Sequence, residues 1–134
     1  MAEETVVKEM LTQEMVQAGA DLTRRLDETH LEVRASLWLY LPDKNLWRLI
    51  VASPAVRHDG PKKVYQQIQT ILSKMSDKTW KIPLYDISVV EESDPLIASL
   101  RTSMDTKDGI PGRRFSRDTI NGYFIEDTYI YKMT

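Results

Sequence analysis

Residues 115–120 read FSRDTI, residues 121–122 read NG, and residues 123–133 read YFIEDTYIYKM. The outer runs are strand-like, and the Asn121-Gly122 dipeptide between them tolerates the positive φ that a two-residue type I′ turn demands. The stretch therefore predicts a C-terminal β-hairpin. Tyr123, Tyr129 and Tyr131 then share one face of the last strand. Counting back from the turn sets Arg117 opposite Glu126.

A second hairpin is legible at Glu32–Ser53. Val33, Ala35, Leu37, Leu39 and Leu41 alternate with Glu32, Arg34, Ser36, Trp38 and Tyr40, which is the period of a strand with two distinct faces. Pro42-Asp43-Lys44-Asn45 supplies turn chemistry, and Leu46–Ser53 returns. The returning strand is apolar on both sides, with Trp47, Leu49 and Val51 opposite Leu46, Ile50 and Ala52.

Helical patterns surround these hairpins. Leu11, Met15, Ala18, Leu22 and Leu26 recur at steps of three and four, predicting a helix from about Thr12 to His30 with Thr12 as its cap and Gly19 as a weak point. Residues 1–11 either extend it or fray. Pro54–Gly60 reads as a loop. Pro61 opens a second helix with the core stripe Val64, Ile68, Ile71, Leu72 and Met75. Leu84–Glu91 reads as a strand. Asp94-Pro95 then starts a third helix with Leu96, Ile97, Leu100 and Met104 inward, and Thr106–Gly112 is a loop. The order is α-β-β-α-β-α-β-β. It predicts one compact α+β domain spanning residues 1–134, with helices packed on a mostly antiparallel sheet of about five strands.

Composition narrows the classes of function. The 134 residues include no Cys, which excludes disulfides, thiolate metal ligands and cysteine catalysis. The acidic Met1-Ala2-Glu3-Glu4 start lacks the apolar stretch of a secretory signal, so a cytoplasmic location is expected. No apolar run approaches the ~18–20 residues that cross a bilayer, so no membrane partner is expected. Charge is uneven. Residues 1–32 carry 8 acidic and 3 basic groups, residues 33–83 carry 3 and 9, and residues 84–134 carry 9 and 6.

No set of residues assembles a nucleophile, a base and an orienter, and no Gly-rich nucleotide fingerprint is present. His30 and His58, the only histidines, fit no paired metal-ligand spacing. No catalytic residue, cofactor or metal is therefore assigned. Pro42-Asp43 and Asp105-Thr106-Lys107 resemble the acid pair and lysine of PD-(D/E)xK nucleases, which hold Mg²⁺ between adjacent strands. Here Asp43 falls in a turn and Asp105-Thr106-Lys107 falls after a helix. That context fits the nuclease pattern poorly.

Two basic loops are candidate anion sites. Arg57, His58, Lys62 and Lys63 surround the start of the second helix, where free N–H groups suit a phosphate or carboxylate. Arg113, Arg114 and Arg117 follow Gly109-Ile110-Pro111-Gly112, and guanidinium forks suit the same ligands. The third candidate is aromatic. Trp38, Tyr40 and Tyr129 carry polar tips on apolar bodies, the type enriched at protein interfaces. A two-sided apolar hairpin leaves one sheet face in need of cover. The expectation is a non-catalytic macromolecule-binding protein, acting through that face on a protein partner or on a second copy. Nucleic-acid or phosphate binding through residues 57–63 and 113–117 is the alternative, and a metal-dependent nuclease the third.

Overall fold

In the computed structural model, which describes residues 7–75, 78–103 and 112–134, the periodic stretches resolve in chain order. They are α1 (Gln13–Asp27), β1 (Ala35–Leu41), β2 (Leu46–Ala52), α2 (Ala55–Asp59), α3 (Pro61–Lys74), β3 (Ile87–Val90), α4 (Pro95–Ser103), β4 (Arg113–Ile120) and β5 (Tyr123–Met133). The strands form one sheet in the order β3-β2-β1-β5-β4. Every neighbouring pair is antiparallel except β2 and β3. That exception has a cause. β2 and β3 are joined through α3, and a helix crossover returns the chain to the same end of the sheet. The domain is α+β, as expected.

Local chemistry sets the boundaries. Asn121 (φ 48°) and Gly122 (φ 84°) both take the left-handed conformation that the type I′ turn requires. The Thr12 hydroxyl accepts the Met15 amide at 3.1 Å and caps α1. Asp94 does the same for α4, with its carboxylate 3.0 Å from the Leu96 amide. Pro54–Gly60, expected as a loop, contains the short helix α2. The Ser53 hydroxyl accepts the Ala55 amide at 3.1 Å, and Pro54 already holds φ at −61°, so the turn is pre-set for one helical segment. A 3₁₀ turn at Leu84–Asp86 shortens the expected third strand.

The sheet has two unlike cores. On one face α1 and α3 lay Leu22, Leu26, Val64, Ile68 and Leu72 against Trp38, Tyr40, Trp47, Leu49 and Val51. On the other, α4 sets Ile97 and Leu100 against Ala35, Leu37, Ile50, Ile130 and Met133. Met104, read as the last residue of that helix's stripe, lies outside the described residues. In β5 the pairing with β1 slips between Ser36 and Leu37, making Tyr131 the extra residue of a bulge. Tyr131 and Lys132 therefore both reach α1. The Tyr131 hydroxyl donates to Val16 O at 2.6 Å, and Lys132 Nζ meets Asp27 at 2.9 Å.

Gly19 is not a weak point. A Cβ there would come within 2.7 Å of Trp38 Nε1 and closer still to the Tyr131 hydroxyl. The missing side chain is what lets α1 approach the aromatic face of the sheet.

Candidate functional site

Trp38 is completely buried and Tyr40 is 7% exposed, under the protein's own α1 and the chain leading into it. The aromatic face expected to lie open for a partner is therefore core, and neither Trp38 nor Tyr40 lies on an open surface. The physical reason lies in their polar tips. Trp38 Nε1–H donates to Met15 O at 3.1 Å on α1, and Tyr40 Oη donates to Asn45 Oδ1 at 2.6 Å. Each tip has a partner inside the chain, so both bodies can be buried without an unmet donor.

The remaining cover comes from residues 7–11, which neither extend α1 nor fray. They run as an extended strap across the end of the β1–β2 hairpin. Trp47 Nε1–H donates to Glu9 O at 2.9 Å, while the Asn45 amide accepts from Glu9 N at 2.8 Å and donates to Val7 O at 3.0 Å. Lys8 Nζ sits 4.7 Å from the centre of the Tyr40 ring and 5.8 Å from that of Trp47, within cation–π range.

Lys8 also reaches Asp127, the one buried acid among the described residues. Lys8 Nζ lies 2.8 Å from Asp127 Oδ2. Arg114 grips the same carboxylate with two bonds, Nη2 to Oδ2 at 2.7 Å and Nε to Oδ1 at 3.0 Å, and Ser116 Oγ adds a third at 3.1 Å. Burial alone would raise the Asp127 pKa. The bonds from Arg114, Lys8 and Ser116 outweigh it and hold the carboxyl at about 2. Burial also pushes the Tyr131 hydroxyl up, with Tyr129 and Asp21 adding to the rise against the Trp38 indole.

Beside this cluster lies an open groove of about 640 Å³, lined by Leu11, Gln13, Glu14, Val16, Gln17, Arg114 and Tyr129. It brings together Tyr129 and Arg114, read from the sequence for different reasons, and sets both against the first turns of α1. Tyr129 is half-buried, its ring 5.2 Å from that of Tyr131. Arg114 keeps about half of its side chain exposed although Asp127 holds one edge of it.

The basic residues do not converge. Arg113 lies over the Phe115 ring at 5.1 Å, and Arg117 pairs with Glu126 at 3.5 Å, the cross-strand partner expected from the turn. Arg57 and His58 are exposed in the last turn of α2, and Lys62 and Lys63 in the first turn of α3. These helices follow β2, towards the β3 side of the sheet, whereas Arg113, Arg114 and Arg117 lie on β4 at the opposite edge. Arg57 and His58 share a cleft of about 220 Å³ with Glu91 and Glu92, whose charge opposes an anion. His30 and His58 line one cleft of about 240 Å³, together with Glu32 and Asp59. No cluster of three His, Asp or Glu able to hold a metal ion occurs among the described residues. Asp43 sits in the β1–β2 turn as expected, and residues 105–107 lie outside the described residues.

Sequence reasoning missed Lys8, Asn45 and Asp127. Asp127 alone carried a signal: an acid standing between Ile125 and Tyr129 in a strand's alternation is a buried charge in need of partners. Among the described residues, no helix is long and apolar enough to cross a membrane. No protein-family model, curated protein or solved structure matches the chain.

Proposed function

We propose that this is a non-catalytic protein-binding domain whose contact surface is the groove between the first turns of α1 and the β4–β5 hairpin, not the aromatic sheet face. One observation carries the reading: Tyr129 and Arg114 stand together, partly exposed, on an open groove of about 640 Å³. Tyr and Arg are the residue types that anchor protein interfaces. Leu11 and Val16 add apolar surface, and Gln13 and Gln17 add hydrogen-bonding groups on the rim. That mixture suits a polypeptide better than a compact phosphate ligand, because Arg114 is already committed along one edge to Asp127. A second copy of the chain and a different protein are both partners of this kind, and the solution mass separates them.

A photo-crosslinking amino acid placed at Gln17, inside the groove, tests this. It is expected to give one discrete protein adduct in an extract of the source cells, while the same group at Lys63 gives none. Tyr129→Ala should remove the adduct. Equal adducts at both positions, or none at Gln17, would overturn the groove assignment. An adduct destroyed by nuclease would transfer the function to nucleic acid, and the binding would then weaken steeply with salt as counterions are released.

A further inference from the structure

We propose that Tyr40, Asn45, Trp47 and Asp127 form a binding site for a lysine side chain carried on an extended segment of a partner protein, and that Lys8 of the chain's own strap occupies this site in the free protein. The inference is independent of the groove and rests on how the strap is held.

Two side chains read the strap's backbone through three bonds. Asn45 contacts the residues on either side of Lys8, donating to Val7 O at 3.0 Å and accepting from Glu9 N at 2.8 Å. A neighbouring β-strand would pair with an extended segment in the same way. Trp47 Nε1–H adds a bond to Glu9 O at 2.9 Å. None of these bonds depends on a side chain of the strap. Asn45 is fixed for the task by the Tyr40 hydroxyl at 2.6 Å and by a left-handed backbone, φ 48°.

The selective part is the pocket for the intervening side chain. Its ammonium group meets the Tyr40 ring at 4.7 Å, the Trp47 ring at 5.8 Å and the Asp127 carboxylate at 2.8 Å. Two aromatic faces and a carboxylate recognise a cation on a long aliphatic stem. The other strap side chains contribute little to the choice. Val7 is 79% exposed and Met10 77% exposed, and Leu11 is the first to be buried. The strap is thus selected by an extended backbone and one lysine.

The site can also be vacated. With Lys8 withdrawn, Asp127 keeps both Arg114 bonds and the Ser116 bond, so no buried charge is orphaned. The Val7 and Met10 side chains are largely exposed, and a segment that buries little apolar surface opens locally at low cost. A lysine-bearing segment of another protein then competes for the place of residues 7–10.

The test uses the full chain carrying Lys8→Ala, which empties the lysine pocket and leaves the strap only its backbone bonds, and a blocked peptide of residues 7–12, with the Trp47 indole N–H followed by NMR. The peptide should bind the variant saturably and shift that resonance. Wild-type protein should bind it at least about tenfold more weakly, because its tethered strap offers the lysine as well as the backbone, at an effective concentration on the order of millimolar. A peptide with glutamine in place of lysine should also lose about tenfold or more, having surrendered the cation. Lys8→Gln provides a second chain without the cation in the pocket should Lys8→Ala fold poorly. An unmoved Trp47 resonance in both variants at millimolar peptide overturns the site. Equal binding of the glutamine peptide overturns its selectivity. A wild-type solution mass that doubles with concentration, and does so only when Lys8 is present, assigns the site to a second copy's strap and overturns the foreign partner.

Discussion

The two faces of this sheet are built from the same strands and behave as different materials. The face under α1 and α3 is aromatic, and its polar tips are tied to backbone carbonyls: Trp38 to Met15, Tyr131 to Val16 and Trp47 to Glu9. The face under α4 is aliphatic, with Leu39, Val90, Leu96 and Phe115 left partly exposed around its core. An indole or phenol buried in a sheet needs an acceptor, and a helix with its lead-in chain offers carbonyls where an aliphatic face needs none. Trp38 and Tyr40, two of the three aromatic residues most suggestive of a waiting interface, are therefore enclosed by the chain itself.

Trp38 and Leu39 give the sharpest test, because they are neighbours in sequence on opposite faces. Trp38→Ala should cost roughly 3–5 kcal/mol in urea unfolding, the range for a fully buried aromatic. Leu39→Ala, at a half-covered site, should cost about 1 kcal/mol or less. Equal losses would erase the distinction between the faces. Ile68→Ala, on the buried side of α3 and itself fully buried, should cost roughly 2–5 kcal/mol. A loss below about 1 kcal/mol would place α3 at the periphery, and the aromatic core would then depend on α1 and the strap alone.

What could be read in the sequence follows the same division. The hairpins, the Asn121-Gly122 turn, the Pro61 helix start and the buried stripe of Val64, Ile68 and Leu72 were legible, because each is encoded by neighbours along the chain. Arg117 opposite Glu126 was legible for the same reason, being fixed by the count from a turn. The cover over Tyr40 and Trp47 was not. It depends on contacts between Lys8 and Asp127, 119 residues apart, and on Asn45, which reads locally as an ordinary turn residue. Gly19 misled in the opposite direction: helix propensity marks it as a defect, whereas the close approach of Trp38 and Tyr131 makes it a requirement. In the candidate site, Tyr129 and Arg114 were found singly, but periodicity carried no sign that α1 would set both on one groove.

Asp127 sharpens the comparison at the rim of the aromatic face. Its folded pKa of about 2 lies below the unfolded value of about 3.9. The stability it contributes is thus fully present above about pH 4 and is lost as pH falls from there towards 2. Its partners Arg114 and Lys8 are half-exposed and screened, which reduces the contribution to about 1 kcal/mol. Because other carboxylates also titrate there, the measurement is a difference. The stability gap between wild type and Asp127→Asn should narrow by about 1 kcal/mol between about pH 5 and pH 2. A gap that stays constant would mean that the carboxylate is not held by its cations.

Lys8→Gln should have the smallest effect, about 1 kcal/mol or less. The lysine side chain is 40% exposed, so its ion pair is partly screened, and a cation–π contact at such a site adds only about 0.5–1 kcal/mol. Asp127 would keep its Arg114 and Ser116 bonds, so the substitution should not leave a buried charge alone. With one of three partners gone, the acid midpoint for Asp127 should rise, and the acid loss of stability should begin at higher pH. Urea unfolding at neutral pH, repeated along an acid series, measures both. A neutral-pH loss of about 3 kcal/mol or more would belong to the range of a broken buried pair. The strap would then be as much a part of the aromatic core as Trp38, and a site that must be emptied to bind anything could not be built from it.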